Sequence, residues 1–200
     1  MRIGIFGGTF DPPHSGHVCL CKAFLERFDI DKLYVIPTFI PPHKEIKSMT
    51  QTAQRFEMTE IAFSNLSDKI VVSDMEIKRQ GKSYTALTIK EFKDQGFDDI
   101  YFLCGTDMLL TLDSWYMSSY IFENATIVYA RRENDEVNDL LILKKIRDYQ
   151  EKFQAKIEKL DLNVIEISSS QIREEVYDNK ESQYLTREIK EYIEKNNLYR

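Results

Sequence analysis

The three histidines of the chain, His14, His17 and His43, all fall within its first 43 residues. Packing a chain of 200 residues does not require that clustering, so the three side chains are expected to serve one site. The segment Gly7 to His17 reads GGTFDPPHSGH. Gly7 and Gly8 open backbone conformations closed to other residues and let a ligand approach the main chain. Pro12 and Pro13 reduce the entropy lost when the loop orders. Residues three apart share a helical face, so His14 and His17 present their imidazoles together at a helix amino terminus, where the dipole favours anions. Imidazole titrates near neutrality and donates hydrogen bonds to phosphate oxygens, so the pair reads as a phosphate site.

Three other readings of this loop compete with it. A zinc site built from His14, His17, Cys19 and Cys21 fails because i, i+2 positions lie about 200° apart on a helix, which keeps the two thiols from converging with both imidazoles. A dinucleotide fingerprint fails because GGTFDP lacks the GxGxxG spacing. A purely structural loop stays open. A second segment, Ile167 to Arg173, reads ISSSQIR. Serine hydroxyls and amides at a helix start make an anion cradle, and Arg173 adds a planar fork matched to phosphate. Ser170 is the expected cap of that helix, with no capping box because Arg173 stands three residues on.

Elements must bring these two segments together. Short β-branched and aromatic runs alternate with stretches of helical period, which predicts an α/β fold with a parallel sheet. Strands are expected at Arg2–Phe6, Lys32–Ile36, Lys69–Val72, Asp99–Cys104, Ala125–Tyr129 and Asn163–Ile167. The continuous apolar run Ile100 to Leu103 predicts helices on both faces. Helices are expected at Gly16–Phe28, Thr52–Ser64, Tyr84–Asp94, Met108–Phe122 and Val137–Leu160. The last is read as burying Leu140, Leu143, Ile146, Tyr149, Phe153, Ile157 and Leu160. Short helices at Ser170–Tyr177 and Arg187–Asn196, the latter capped by Thr186, complete a carboxyl-terminal helical part over about residues 168–200.

Composition bounds the partners. One domain over residues 1–200 is the expectation for this length, and 42% hydrophobic residues exclude intrinsic disorder. Charged residues at 30% leave no apolar stretch long enough to span a bilayer. MRIGIFGG is read as a first strand rather than a secretory leader, and the cytoplasm is the expected location. A net charge of −6 disfavours nucleic acid as a partner. A small phosphorylated ligand needs only a local cluster of donors, and a homo-oligomer stays open.

GGTFDPPHSGH together with ISSSQIR resembles the nucleotidyltransferases of the adenylyl and cytidylyl transfer superfamily, whose hallmarks are an HxGH pair and a carboxyl-terminal SSxxIR element. YVIPTFIPPHK, KSYTALTIKEF, FLCGTDML with Trp115 after it, YARRE and the closing YLTREIKEYIEKNNLY extend the likeness over nearly the whole chain, toward the nicotinate-nucleotide adenylyltransferases. The resemblance implies a Rossmann-like sheet and reaction of ATP with nicotinate mononucleotide, with Mg²⁺ arriving on the nucleotide. It implies that His14, His17 and Arg173 are catalytic and that Gly7, Gly8, Thr9, Phe10, Gly105, Asp107, Ser169 and Ser170 hold ATP. It places His43, Lys44, Thr85, Trp115 and Arg132 at the mononucleotide, with Trp115 stacked on the pyridine ring. A relative using nicotinamide mononucleotide or phosphopantetheine shares the same HxGH pair.

Overall fold

In a computed structural model, which describes residues 1–42, 50–131, 136–162 and 167–200 (136–138 by backbone alone), six strands form one parallel sheet. They are β1 (Arg2–Gly8), β2 (Lys32–Pro37), β3 (Ile70–Val72), β4 (Asp99–Gly105), β5 (Thr126–Ala130) and β6 (Ile157–Leu160). Their order is β3-β2-β1-β4-β5-β6, every pair parallel. The chain therefore winds outward from β1 in one direction, returns, and winds outward from β4 in the other. Crevices for ligands form at the carboxyl ends of strands where that winding reverses, here between Gly7–Gly8 and Gly105.

Helices cover both faces. On one side lie α1 (Ser15–Arg27), α2 (Thr52–Phe63), α8 (Ser169–Tyr177) and α9 (Arg187–Lys195), packed on Phe6, Leu33, Val35, Leu103 and Val128. On the other lie α4 (Thr85–Asp94), α5 (Thr106–Thr111), α6 (Ser118–Asn124) and α7 (Glu136–Phe153), packed on Ile3, Ile5, Ile36, Phe102 and Ile127. Successive strand side chains alternate between the two cores. A short α3 (Met75–Arg79), which the sequence reading did not find, precedes α4.

Four expectations are corrected. The helix expected to run to Leu160 stops at Phe153, because Gln154 turns left-handed (φ 54°) and the Ala155 N–H folds back onto the Tyr149 carbonyl at 3.4 Å. The sixth strand is therefore Ile157–Leu160, while residues 163–166 of the strand expected at Asn163–Ile167 lie outside the described ones. The buried face of α7 carries Ile142 and Tyr149, and Leu140 and Leu143 face outward at 74% and 59% exposure. The single helix expected over Met108–Phe122 is broken into α5, a 3-10 turn at Leu112–Ser114, and α6, with Trp115 extended and Met117 left-handed (φ 52°) between them. The fourth correction, the cap of α8, belongs to the site.

Candidate active site

The carboxyl end of β1 runs directly into the loop that carries the histidines. A Cβ on Gly8 would stand 2.7 Å from the Phe10 ring, so glycine is required there by close packing. Phe10 is buried with a left-handed backbone (φ 49°), a conformation that costs a non-glycine residue of order 1–3 kcal/mol. Its ring packs edge-on against Phe6, Phe63 and the His17 imidazole. Phe10 thus forms the floor under His17.

His14 caps α1 and His17 sits in its first turn, with ring centroids 3.7 Å apart. The His14 backbone N–H donates to His17 Nδ1 at 3.2 Å. That bond makes Nδ1 the acceptor of the ring, so the neutral imidazole of His17 carries its proton on Nε2. Gly16 between them sits in tight quarters: a Cβ there would meet His14 Nδ1 at 3.0 Å and Ile167 at 3.3 Å, so a larger residue would press on the His14 ring. The HxGH spacing is therefore what lets two imidazoles lie side by side against the second motif.

That second motif reaches the same place. α8 is capped by Ser168 rather than Ser170: Ser168 Oγ accepts from the Gln171 N–H at 3.2 Å, and Gln171 Oε1 accepts from the Ser168 N–H at 2.9 Å. This is a reciprocal capping box two residues before the expected cap, so the expectation of no capping box is corrected. Ser169 Oγ donates to the Pro12 carbonyl at 2.9 Å, and Arg173 donates to the Asp11 carbonyl at 2.7 Å and to Ser170 Oγ at 3.0 Å.

One cleft of about 560 Å³ unites the parts. One side is lined by Gly7, Gly8, Thr9, Phe10, His14, His17, Ser168, Ser169 and Ser170, with Gly105 at the end of β4 and Asp107 in the first turn of α5. Its other side carries Thr38, Ser83, Tyr84, Thr85, Trp115 and Tyr116. Arg173 stands just outside, in a groove shared with Ser170 and Tyr199. His43, Lys44 and Arg132 lie outside the described residues. The far wall is aromatic: the Tyr84 and Tyr116 rings lie 4.5 Å apart, and Trp115 meets Phe102 edge-on at 6.2 Å while its Nε1 donates to Thr111. Tyr149 of α7 backs this wall, its single hydroxyl proton shared between two acceptors, the Leu109 carbonyl at 3.0 Å and the Asp113 carboxylate at 2.9 Å.

Besides Thr38, Ser83, Tyr84 and Tyr116 of the lining, three buried charged residues around the cleft are not among the expected site residues. Arg55 of α2 is fully buried, and its guanidinium donates to the carbonyls of Thr9, Thr38, Phe39 and Thr50 and to Thr52 Oγ1. It ties the histidine loop to the segment after β2, which leads to the opposite wall of the cleft. Burial lowers its pKa, and the charge of Asp11 offsets part of that effect. Glu76 of α3 is buried beneath the first turns of α4, where Thr88 donates to it and Arg79 lies 3.6 Å away. Burial pushes its carboxyl up, against the opposing pull of Thr88, Ser83 and Arg79. Asp11, also buried, accepts from the Tyr199 hydroxyl at 2.7 Å and from the Thr50 N–H at 3.4 Å. An arginine inside an otherwise amphipathic helix gives no sequence signal of such burial.

Comparison with known proteins agrees with this geometry. The cytidylyltransferase-like family matches residues 5–175. Probable nicotinate-nucleotide adenylyltransferases from Clostridium novyi and Lachnoclostridium phytofermentans are 37% and 36% identical, over 98% and 99% of this chain and 98% of each relative. Among solved structures, Plasmodium falciparum nicotinic acid mononucleotide adenylyltransferase complexed with NaAD shares the fold with a TM-score of 0.73 at 23% identity, covering 99% of this chain and 97% of that one.

Proposed function

Because the chain belongs to the cytidylyltransferase-like family, and within it to the nicotinate-nucleotide adenylyltransferases, we propose that it transfers the adenylyl group of ATP to nicotinate mononucleotide. The products are nicotinate adenine dinucleotide and pyrophosphate. One observation carries the reading: a single cleft at the reversal of the sheet joins the imidazole pair and the serine turn on one side to Thr85 and Trp115 on the other.

A phosphate oxygen of the mononucleotide attacks the α-phosphorus of ATP; the new P–O bond forms as the bond to the bridging α,β-oxygen breaks, and its electron pair leaves with pyrophosphate. Two anions meet and a third departs, so catalysis consists of positioning and charge neutralisation. No side-chain nucleophile is required. His14 and His17 hold the ATP phosphates, and the Nε2–H of His17 donates to an oxygen on which negative charge builds. The first-turn amides of α8 at Ser169 and Ser170, with the Arg173 guanidinium behind them, receive the departing pyrophosphate. Gly7, without a side chain and with nothing within 4 Å of the position a Cβ would take, leaves room for the nucleotide beside Thr9, Gly105 and Asp107. Trp115 stacks on the pyridine ring, and Thr85 at the start of α4 meets its carboxylate. His43, Lys44 and Arg132 complete the mononucleotide side in this reading.

Among the described residues there is no group of three or more His, Cys, Asp or Glu placed to hold a metal. The donor set suits a Mg²⁺ that comes bound to ATP and keeps its waters, and it is counted here with the substrate. None of the helices among the described residues is long and apolar enough to cross a membrane.

The deciding measurement is ATP-dependent pyrophosphate release against a panel of acceptors: nicotinate mononucleotide, nicotinamide mononucleotide and phosphopantetheine. The first is expected to give the highest kcat/KM. Release with phosphopantetheine and none with nicotinate mononucleotide overturns the assignment.

A further inference from the structure

The loop between β1 and α1 is held from outside at almost every link. Arg55 takes the Thr9 carbonyl, Arg173 the Asp11 carbonyl and Ser169 the Pro12 carbonyl, at 2.8, 2.7 and 2.9 Å. The Asp11 carboxylate is held in turn by Tyr199, which lies in the turn after α9. The backbone around Tyr199 is built to deliver it. Asn197 and Tyr199 are both left-handed (φ 52° and 62°), and the Leu198 N–H bonds back to the Ile193 carbonyl at 3.0 Å, with Leu198 itself buried in the core.

We infer that Tyr199 is a positioning residue for adenylyl transfer: its hydroxyl, through the Asp11 carboxylate, fixes the loop whose next residues are His14 and His17 and whose carbonyl orients Arg173. The inference rests on the function proposed above. Asp11 accepts from Tyr199 by its side chain and from Arg173 by its main chain, so a rotation of this one residue moves the guanidinium and the start of α1 together. A displacement of about 1 Å at a reacting centre is enough to cost orders of magnitude in rate. The phenol stays a donor at every physiological pH, because burial and the charge of Asp11 both hold its proton on. Ser170, Arg173 and Tyr199 also line one groove, so the contact runs continuously from the turn after α9 to the serine turn.

Tyr199→Phe removes one oxygen and leaves the ring. With ATP and nicotinate mononucleotide, the variant is expected to lose about tenfold or more in kcat, while KM for the mononucleotide stays within about twofold and the thermal midpoint shows the chain folded at the assay temperature. Because both side chains act on one loop residue, Tyr199→Phe combined with Arg173→Lys should lose little more than Arg173→Lys alone. Amide exchange over residues 14–18 should rise in Tyr199→Phe and stay unchanged in β4. A kcat within about twofold of the parent, fully additive losses, or unchanged exchange over residues 14–18 overturns the inference. A parent enzyme that releases no pyrophosphate defeats the functional reading instead, and the exchange measurement still decides the role of Tyr199 in the loop.

Discussion

The hydroxyl of Ser169 donates to the carbonyl of Pro12 at 2.9 Å across 157 residues of sequence. It stitches the start of α8 to the residue two before His14, so the imidazole pair and the serine turn form one rigid wall of the cleft. Neither segment makes a wall of that extent alone.

His17→Ala is expected to keep the fold and lower kcat by about two or more orders of magnitude, the scale of losing one preorganised donor to a developing charge. The check is steady-state pyrophosphate release beside a far-ultraviolet spectrum. Turnover within about threefold of the parent removes His17 from the reaction.

Trp115→Ala should raise KM for nicotinate mononucleotide far more than KM for ATP. Trp115 lines the cleft with Tyr84 and Tyr116. Equal weakening of both substrates in a folded variant would count against ring stacking.

Arg55→Met leaves the carbonyls of Thr9, Thr38, Phe39 and Thr50 without their donor inside the protein. At about 1–3 kcal/mol for each unsatisfied buried group, partly relieved by relaxation, a loss of about 3 kcal/mol or more is expected in urea unfolding. A change below about 1 kcal/mol would mean that these carbonyls find other partners.

Glu76 gives a pH signature with a definite sign. Its folded pKa is raised above the ordinary 4.5 by burial. Between the ordinary and the raised value the native state keeps a proton that the unfolded chain has released, so stability falls as pH rises through that window and is level above it. Glu76→Gln has no such proton. Melting curves of the two proteins from pH 4 upward should therefore diverge in favour of the variant, and parallel curves would contradict the shift.

Chelation of divalent cations should abolish turnover and excess Mg²⁺ restore it, with the circular dichroism spectrum unchanged throughout. Loss of helical signal on chelation would reveal a structural metal instead.

Much of the site was legible because its chemistry sits in two short segments. Both His14 and His17 fall where their spacing puts them, at the start of α1, and Thr186 caps α9 as read, accepting from the Ile189 N–H. The cap of α8 was misplaced because Ser168, Ser169 and Ser170 are equivalent in type, and only the reach of Gln171 back to Ser168 selects one of them. The end of α7 was hidden because Ile157 and Leu160 continue a three-and-four spacing that a strand of four residues satisfies equally well. Arg55 and Asp11 were read past because their value comes from carbonyls and hydroxyls brought by distant segments, which no local pattern encodes.

The break between α5 and α6 makes the two walls of the cleft unequal in how freely they can diverge. Trp115, Tyr116 and Met117 ride on a short connection, with Tyr116 and Met117 at 50% and 43% exposure, so exchanging these few residues re-tailors the acceptor side while the sheet and the stitched histidine loop stay intact. Under the proposed function, a change of acceptor is thus open to small steps on one bank, whereas the bank stitched together by Ser169 and Pro12 changes only as a unit.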